Sequence, residues 1–94
     1  AEIITVSTTP VQVKPNETYK GWCYFYSIIN KSGSTVFVKA NIEPSQMIVT
    51  NSIPIPPGFG YSMPLFGPDG RAVRIQNVVL VTESGSSEVY ISFE

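Results

Sequence analysis

The run Trp22-Cys23-Tyr24-Phe25-Tyr26-Ser27-Ile28-Ile29-Asn30 has the composition of a β-strand. β-Branched and aromatic side chains fit a pleated surface and lose rotamer freedom in a helix. Successive residues of a strand point to opposite faces. Trp22, Tyr24, Tyr26 and Ile28 therefore share one side, and Cys23, Phe25, Ser27 and Ile29 the other. Both sides are largely apolar, which predicts a central strand or one with a second contact surface.

The same bias runs outward through the chain. Valine and isoleucine far outnumber leucine (Leu65 and Leu80) and alanine (Ala1, Ala40 and Ala72). Eight prolines and seven glycines recur at short intervals and break helical periodicity almost everywhere. The window 69–83 is spared proline, but it is too rich in valine for a helix. Strands are expected at 2–8, 11–14, 22–30, 35–41, 46–50, 59–66, within 71–83, and at 87–93. The second of these either resumes the first beyond Pro10 or passes to a neighbouring sheet.

Turn chemistry punctuates them. Pro15-Asn16-Glu17 is a turn, Asn30-Lys31-Ser32-Gly33-Ser34 reads as a hairpin loop, and Ser84-Gly85-Ser86 reads as the tip of a closing hairpin. Pro57-Gly58 suits the two central positions of a type II turn, and Gly67-Pro68-Asp69-Gly70 is another turn. Pro54 and Pro56 lack N–H groups and place their segment on a sheet edge, with Ile53 and Ile55 inward. Residues 71–83 are too long for one flat strand and should bend near Gln76-Asn77. Seven to eight short strands with such spacing predict an all-β, compact antiparallel sandwich or flattened barrel, one domain over 1–94.

The reactive inventory is thin. The chain has 94 residues, no histidine, one aspartate (Asp69) and one cysteine (Cys23). Ser-His-Asp and Cys-His sets are impossible without imidazole, and one cysteine forms no intrachain disulfide. Cys23 reads as a small buried apolar residue. Acidic residues are scattered singly rather than grouped as calcium or zinc ligands. Glu83 and Glu88 flank the last turn and read as solvated strand ends rather than a glycosidase pair. No catalytic, cofactor or metal residues are assigned. The formal charge of −1 gives no footprint for nucleic acid. No stretch is long and apolar enough for a membrane helix. Ala1 suits removal of an initiator methionine, and the sequons at Asn16 and Asn30 read as turn residues.

What remains is apolar surface. Charged residues are 14% of the chain, against about 25% in typical domains. Phe25, Ile29, Phe37, Tyr61, Phe66 and Tyr90 include positions opposite the expected core. Charge depletion and aromatic enrichment mark subunit interfaces, so self-association or docking on a larger assembly is expected. The chosen contact residues are the N-terminal Ile3, Ile4 and Val6, with Phe59, Tyr61, Met63 and Phe66. Alternatively, Trp22, Tyr24 and Tyr26 form an aromatic row for a carbohydrate or receptor.

Thr9-Pro10-Val11-Gln12-Val13, Ile29-Asn30-Lys31-Ser32-Gly33-Ser34 followed by Thr35-Val36-Phe37-Val38, Ile53-Pro54-Ile55-Pro56-Pro57-Gly58 and the closing Val78–Val81 and Glu88–Ile91 runs occur in a familiar order. That order resembles the small β-sandwich modules of tailed phages and other double-stranded DNA viruses. The aromatic strand 22–29 and the prolines at 54, 56 and 64 depart from their pattern. The resemblance implies a non-enzymatic virion component assembled in the host cytoplasm. It would be a capsid decoration or cement protein, or a head or tail accessory subunit. Its partners would be capsid or tail proteins and its own copies, with a homotrimer favoured.

Overall fold

A computed structural model describes residues 2–15, 25–66 and 68–93; the side chains at 25, 32, 63–66 and 72 fall outside that description. The described strands are β1 (Glu2–Val6), β2 (Val11–Val13), β3 (Phe25–Gly33), β4 (Val36–Ala40), β5 (Ile53–Ile55), β6 (Gly60–Phe66), β7 (Ala72–Val73), β8 (Val78–Thr82) and β9 (Ser87–Phe93). They form two antiparallel sheets, ordered β1-β9-β3-β6-β7 and β2-β8-β4-β5. The all-β sandwich expected from composition is the observed fold. Set aside the two-residue β7, and the last strand lies between the first and third while β8 lies between the second and fourth. That is the strand order of a jelly roll, two Greek keys folded face to face.

The core lies between the sheets. Val6, Tyr26, Ile28, Val89 and Ile91 come from the five-stranded sheet, and Val13, Val36, Val38, Ile55, Val78 and Leu80 from the other. Ile75, in the link before β8, completes it. β-Branched residues dominate because they pack on pleated surfaces with little rotamer entropy to lose. The alternation expected in 35–41 is seen, with Val36 and Val38 buried. The proline-bearing β5 sits on an edge, as its missing N–H groups require. Gly58 has φ +85, and the Phe59 N–H donates to the Pro56 carbonyl (3.1 Å), closing the expected turn. The 71–83 run breaks into β7, Ile75 and β8, as its length required.

Three expectations need correction. Residues 46–50 are not a strand: Pro44–Gln46 and Val49–Asn51 are 3₁₀ turns. Pro44 opens the first of them, and Ile48 is exposed rather than packed into a ladder. Residues 30–34 are not a hairpin loop, because β3 runs on to Gly33 and β4 belongs to the opposite sheet. Residues 84–86 do not close a hairpin either. β8 pairs with β2 and β4, whereas β9 pairs with β1 and β3. Both links are corners that carry the chain across the core.

These two corners press together. Gly33 has φ +103, and a Cβ built there would meet the Ser86 carbonyl oxygen at 2.2 Å. The Ser34 N–H donates to that same carbonyl. Glycine at 33 therefore serves a close backbone approach between corners. Asn30 ties this end of the sandwich together from inside. Its Nδ2 donates to the Ser34 (2.9 Å) and Ile55 (2.8 Å) carbonyls, and its Oδ1 accepts from the Ser87 hydroxyl. Its backbone N–H donates to the Phe59 carbonyl (3.0 Å), and its carbonyl accepts from the Gly58 N–H (2.7 Å). A wholly buried amide is tolerated because every donor and acceptor it carries is used.

Candidate interaction surface

Ladder registry fixes what the five-stranded sheet shows on its outer side. Ile28 faces the core, so its neighbours Ser27 and Ile29 face out. Ile29 lies opposite Gly60 on β6 and Tyr90 on β9, and Tyr90 lies opposite Ile3 on β1. One row across the sheet therefore reads Ile3, Tyr90, Ile29, Gly60. The next row reads Ser92, Ser27, Ser62, with the Ser62 hydroxyl donating to Ser27 Oγ at 3.0 Å. On the other flank Thr5 and Ser32 lie either side of Glu88.

This surface is sparing in charge, and a hollow of about 320 Å³ lined by Ile3, Thr5, Gly33 and Glu88 among others opens at its β1 flank. Ile3 is 58% exposed and Ile29 49%, well above what burial in a core would leave. Gly60 adds no side chain to the row. The charged groups described here are Glu88 and Lys31, and the Lys31 ammonium sits 5.3 Å from the Tyr90 ring centroid. The Tyr90 hydroxyl raises the Lys31 pKa first by hydrogen bonding and then by its charge, with Glu88 adding to the effect. Phe59, 63% exposed, stands at the start of β6 beside Gly60.

Several sequence-chosen residues fall on or near this face. Ile3 and Phe59 are exposed. Ile4 and Tyr61 are half-buried and pack against the core. Val6 is a correction: it is wholly buried in the core and offers no contact surface. It faces inward because it shares parity with Ile4 on β1. Met63 and Phe66 belong to β6, but their side chains lie outside the described residues. Ile29 and Tyr90 are the residues that complete the row. Their alternation with Ile28 and Ile91 marks them as facing away from the core.

The aromatic platform is also altered. Trp22 and Tyr24 lie outside the described residues. Tyr26 is 2% exposed and packs in the core, so it presents no ring to a ligand. Its ring lies 6.2 Å from that of Tyr61, tilted at 45°. Burial first, and the neighbouring Tyr61 second, push the Tyr26 pKa up to about 12. Burial raises Tyr61 as well.

A polar cleft of about 340 Å³ opens at one end of the four-stranded sheet, lined by Gln12, Lys14, Asn41, Glu43, Gln76 and Asn77 among others. Its amides are largely engaged with one another and with backbone. Asn77 Nδ2 donates to Gln12 Oε1 (2.7 Å) and the Ile42 carbonyl (2.6 Å). Asn41 Nδ2 donates to the Arg74 carbonyl, and its Oδ1 accepts from the Gln76 N–H, each at 2.7 Å. These bonds hold Asn41 at φ +59, where asparagine is tolerated better than most residues. The cluster anchors the β4 exit to the β8 entry. Among the described residues no group of three or more His, Cys, Asp or Glu side chains could hold a metal ion, and no helix is long and apolar enough to cross a membrane.

Family models, characterised proteins and solved structures return no match to this chain.

Proposed function

We propose that this protein is a non-enzymatic structural subunit that works by docking on other protein, as a capsid decoration or cement protein or a head or tail accessory subunit of a virion. The observation that carries this reading is the outward row Ile3, Tyr90, Ile29 on a sheet face with few charges. Exposed apolar patches on small folds mark contact surfaces. Jelly rolls also build viral capsid domains, a fold-level analogy that raises the expectation without assigning residues. A specific interface buries roughly 800 Å² per partner. Copies repeated around a shell would gain avidity from modest single contacts.

The test is co-sedimentation with capsids and tails assembled from the proteins encoded beside its gene. The wild-type protein is expected in the pellet, and Ile29→Lys in the supernatant with an unchanged melting temperature. Wild-type protein that stays in the supernatant with every particle would overturn the reading.

A further inference from the structure

The four sheet edges are unequal. An edge strand presents unpaired N–H and C=O groups that template pairing with another chain unless they are blunted. β5 carries Pro54, with Pro56 immediately after it. β2 is three residues long, bounded by Pro10 on one side and Lys14-Pro15 on the other. At the far side of the five-stranded sheet, β7 covers Leu65 and Phe66 of β6, and Pro64 interrupts the donors just before them. β1 has none of these devices. Its five residues, Glu-Ile-Ile-Thr-Val, contain no proline, lysine or bulge, and they pair with β9 on one side only among the described residues.

We infer that β1 pairs antiparallel with β1 of a second copy, joining the two five-stranded sheets across a two-fold axis. An open edge needs another open edge, and β1 is the longest proline-free stretch of open edge among the described residues, the unpaired part of β6 ending at Pro64. The contact is therefore isologous and stops at two copies. Charge selects the register. Centred on Ile4, the pairing sets Glu2 opposite Val6 and Ile3 opposite Thr5, so no two like charges face each other. The two Ile4 side chains meet on the inner side, where each is half-buried already. On the outer side the two rows Ile29, Tyr90, Ile3 become one continuous surface. The inference rests on the reading that this chain works through protein contact, and it names the first partner.

Sedimentation velocity on the full chain, from about 5 to about 500 µM, spans the range expected for so small a contact. The expected result is a reversible monomer–dimer equilibrium. Thr5→Lys, at an exposed outward position, should weaken it at least about tenfold by placing a lysine on the edge, with the melting temperature unchanged. Register is read by disulfide trapping in a Cys23→Ser background. Ile3→Cys with Thr5→Cys should give a covalent dimer, because directly opposed Cβ atoms stand about 4.5–5.5 Å apart. Either single variant should not, because its two copies would be diagonal, at about 7–8 Å. A monomer at every concentration, a trimer, or a dimer indifferent to Thr5→Lys would overturn the inference. A dimer that fails to co-sediment with particles would overturn the virion reading and leave the edge pairing standing.

Discussion

The two sheets of this sandwich are built to opposite specifications. In the four-stranded sheet, β8 is buried on both sides: Val79 is fully covered and Val81 is 6% exposed, although both point away from the core cluster. That sheet also ends in a proline edge and a three-residue edge. In the five-stranded sheet, the central β3 and β9 bury only alternate residues, and their outer side carries Ile29 and Tyr90. Its first strand ends in an unprotected edge. The outer side of β8 is sealed, although Gln12, Phe37 and Lys39 beside it are not fully covered, and the outer side of β3 and β9 is open. Sequence apolarity alone does not distinguish them, since both are rich in valine and isoleucine. The difference lies in which faces and edges have been closed.

The largest expected effect tests the sealed side. Val79→Lys places a charge on the outward side of β8 where nothing remains exposed, and should cost about 3–5 kcal/mol or prevent folding. Urea denaturation followed by circular dichroism measures it. If Val79→Lys is tolerated, the sealed face is not sealed. Asn30→Ala comes next. It removes the donor that serves the buried Ile55 carbonyl and the partly buried Ser34 carbonyl, at about 2–4 kcal/mol. The same change at Asn77, which lines the cleft, should cost less because water can reach the freed groups.

A third measurement varies pH. The folded Tyr26 hydroxyl holds its proton up to about pH 12, whereas in the unfolded chain it ionises near 10. Above pH 10 the unfolded state has lost a proton that the folded state keeps. The contribution of Tyr26 to stability is thus constant below pH 10 and falls from there towards 12, by at most about 1.4 kcal/mol per pH unit. Denaturation midpoints at pH 9 and 11 should differ in the wild type and differ less in Tyr26→Phe. The smallest effect belongs to the open side. Ile29→Lys should change stability by less than about 0.5 kcal/mol. A large loss there would mean that the outer face of the five-stranded sheet is structural after all.

Much of this contrast is legible in the chain, and the rest is hidden for a definite reason. Alternation in 25–29 and 87–93 separates Ile28 and Ile91 from Ile29 and Tyr90. The prolines at 54 and 56 declare an edge, whereas the run Val78–Val81 declares a strand without showing that both of its faces are covered. What local grammar does not specify is where a chain goes after it turns. Asn30–Ser34 and Ser84–Ser86 carry the polar and glycine residues of a hairpin. A corner that crosses to the other sheet needs the same residues. The choice is made by distant partners: Gly33 against Ser86, and Asn30 against Ile55 and Ser87. Val6 follows the same logic. An N-terminal arm and an edge strand share one pattern, and only the pairing of Val6 with Ser87 turns it into the core.

The placement of β9 between β1 and β3, and of β8 between β2 and β4, has a consequence for how the chain is made. The first four strands leave the ribosome without their principal hydrogen-bonding neighbours. Neither sheet can assemble around its centre until β8 and β9 emerge. Until then apolar strands wait unpaired, and the final closing step is governed by contacts between the most distant parts of the chain, a topology that folds slowly. High-level expression should therefore reward low temperature and slow synthesis, and truncation behind β7 should leave an aggregating chain rather than a smaller sandwich.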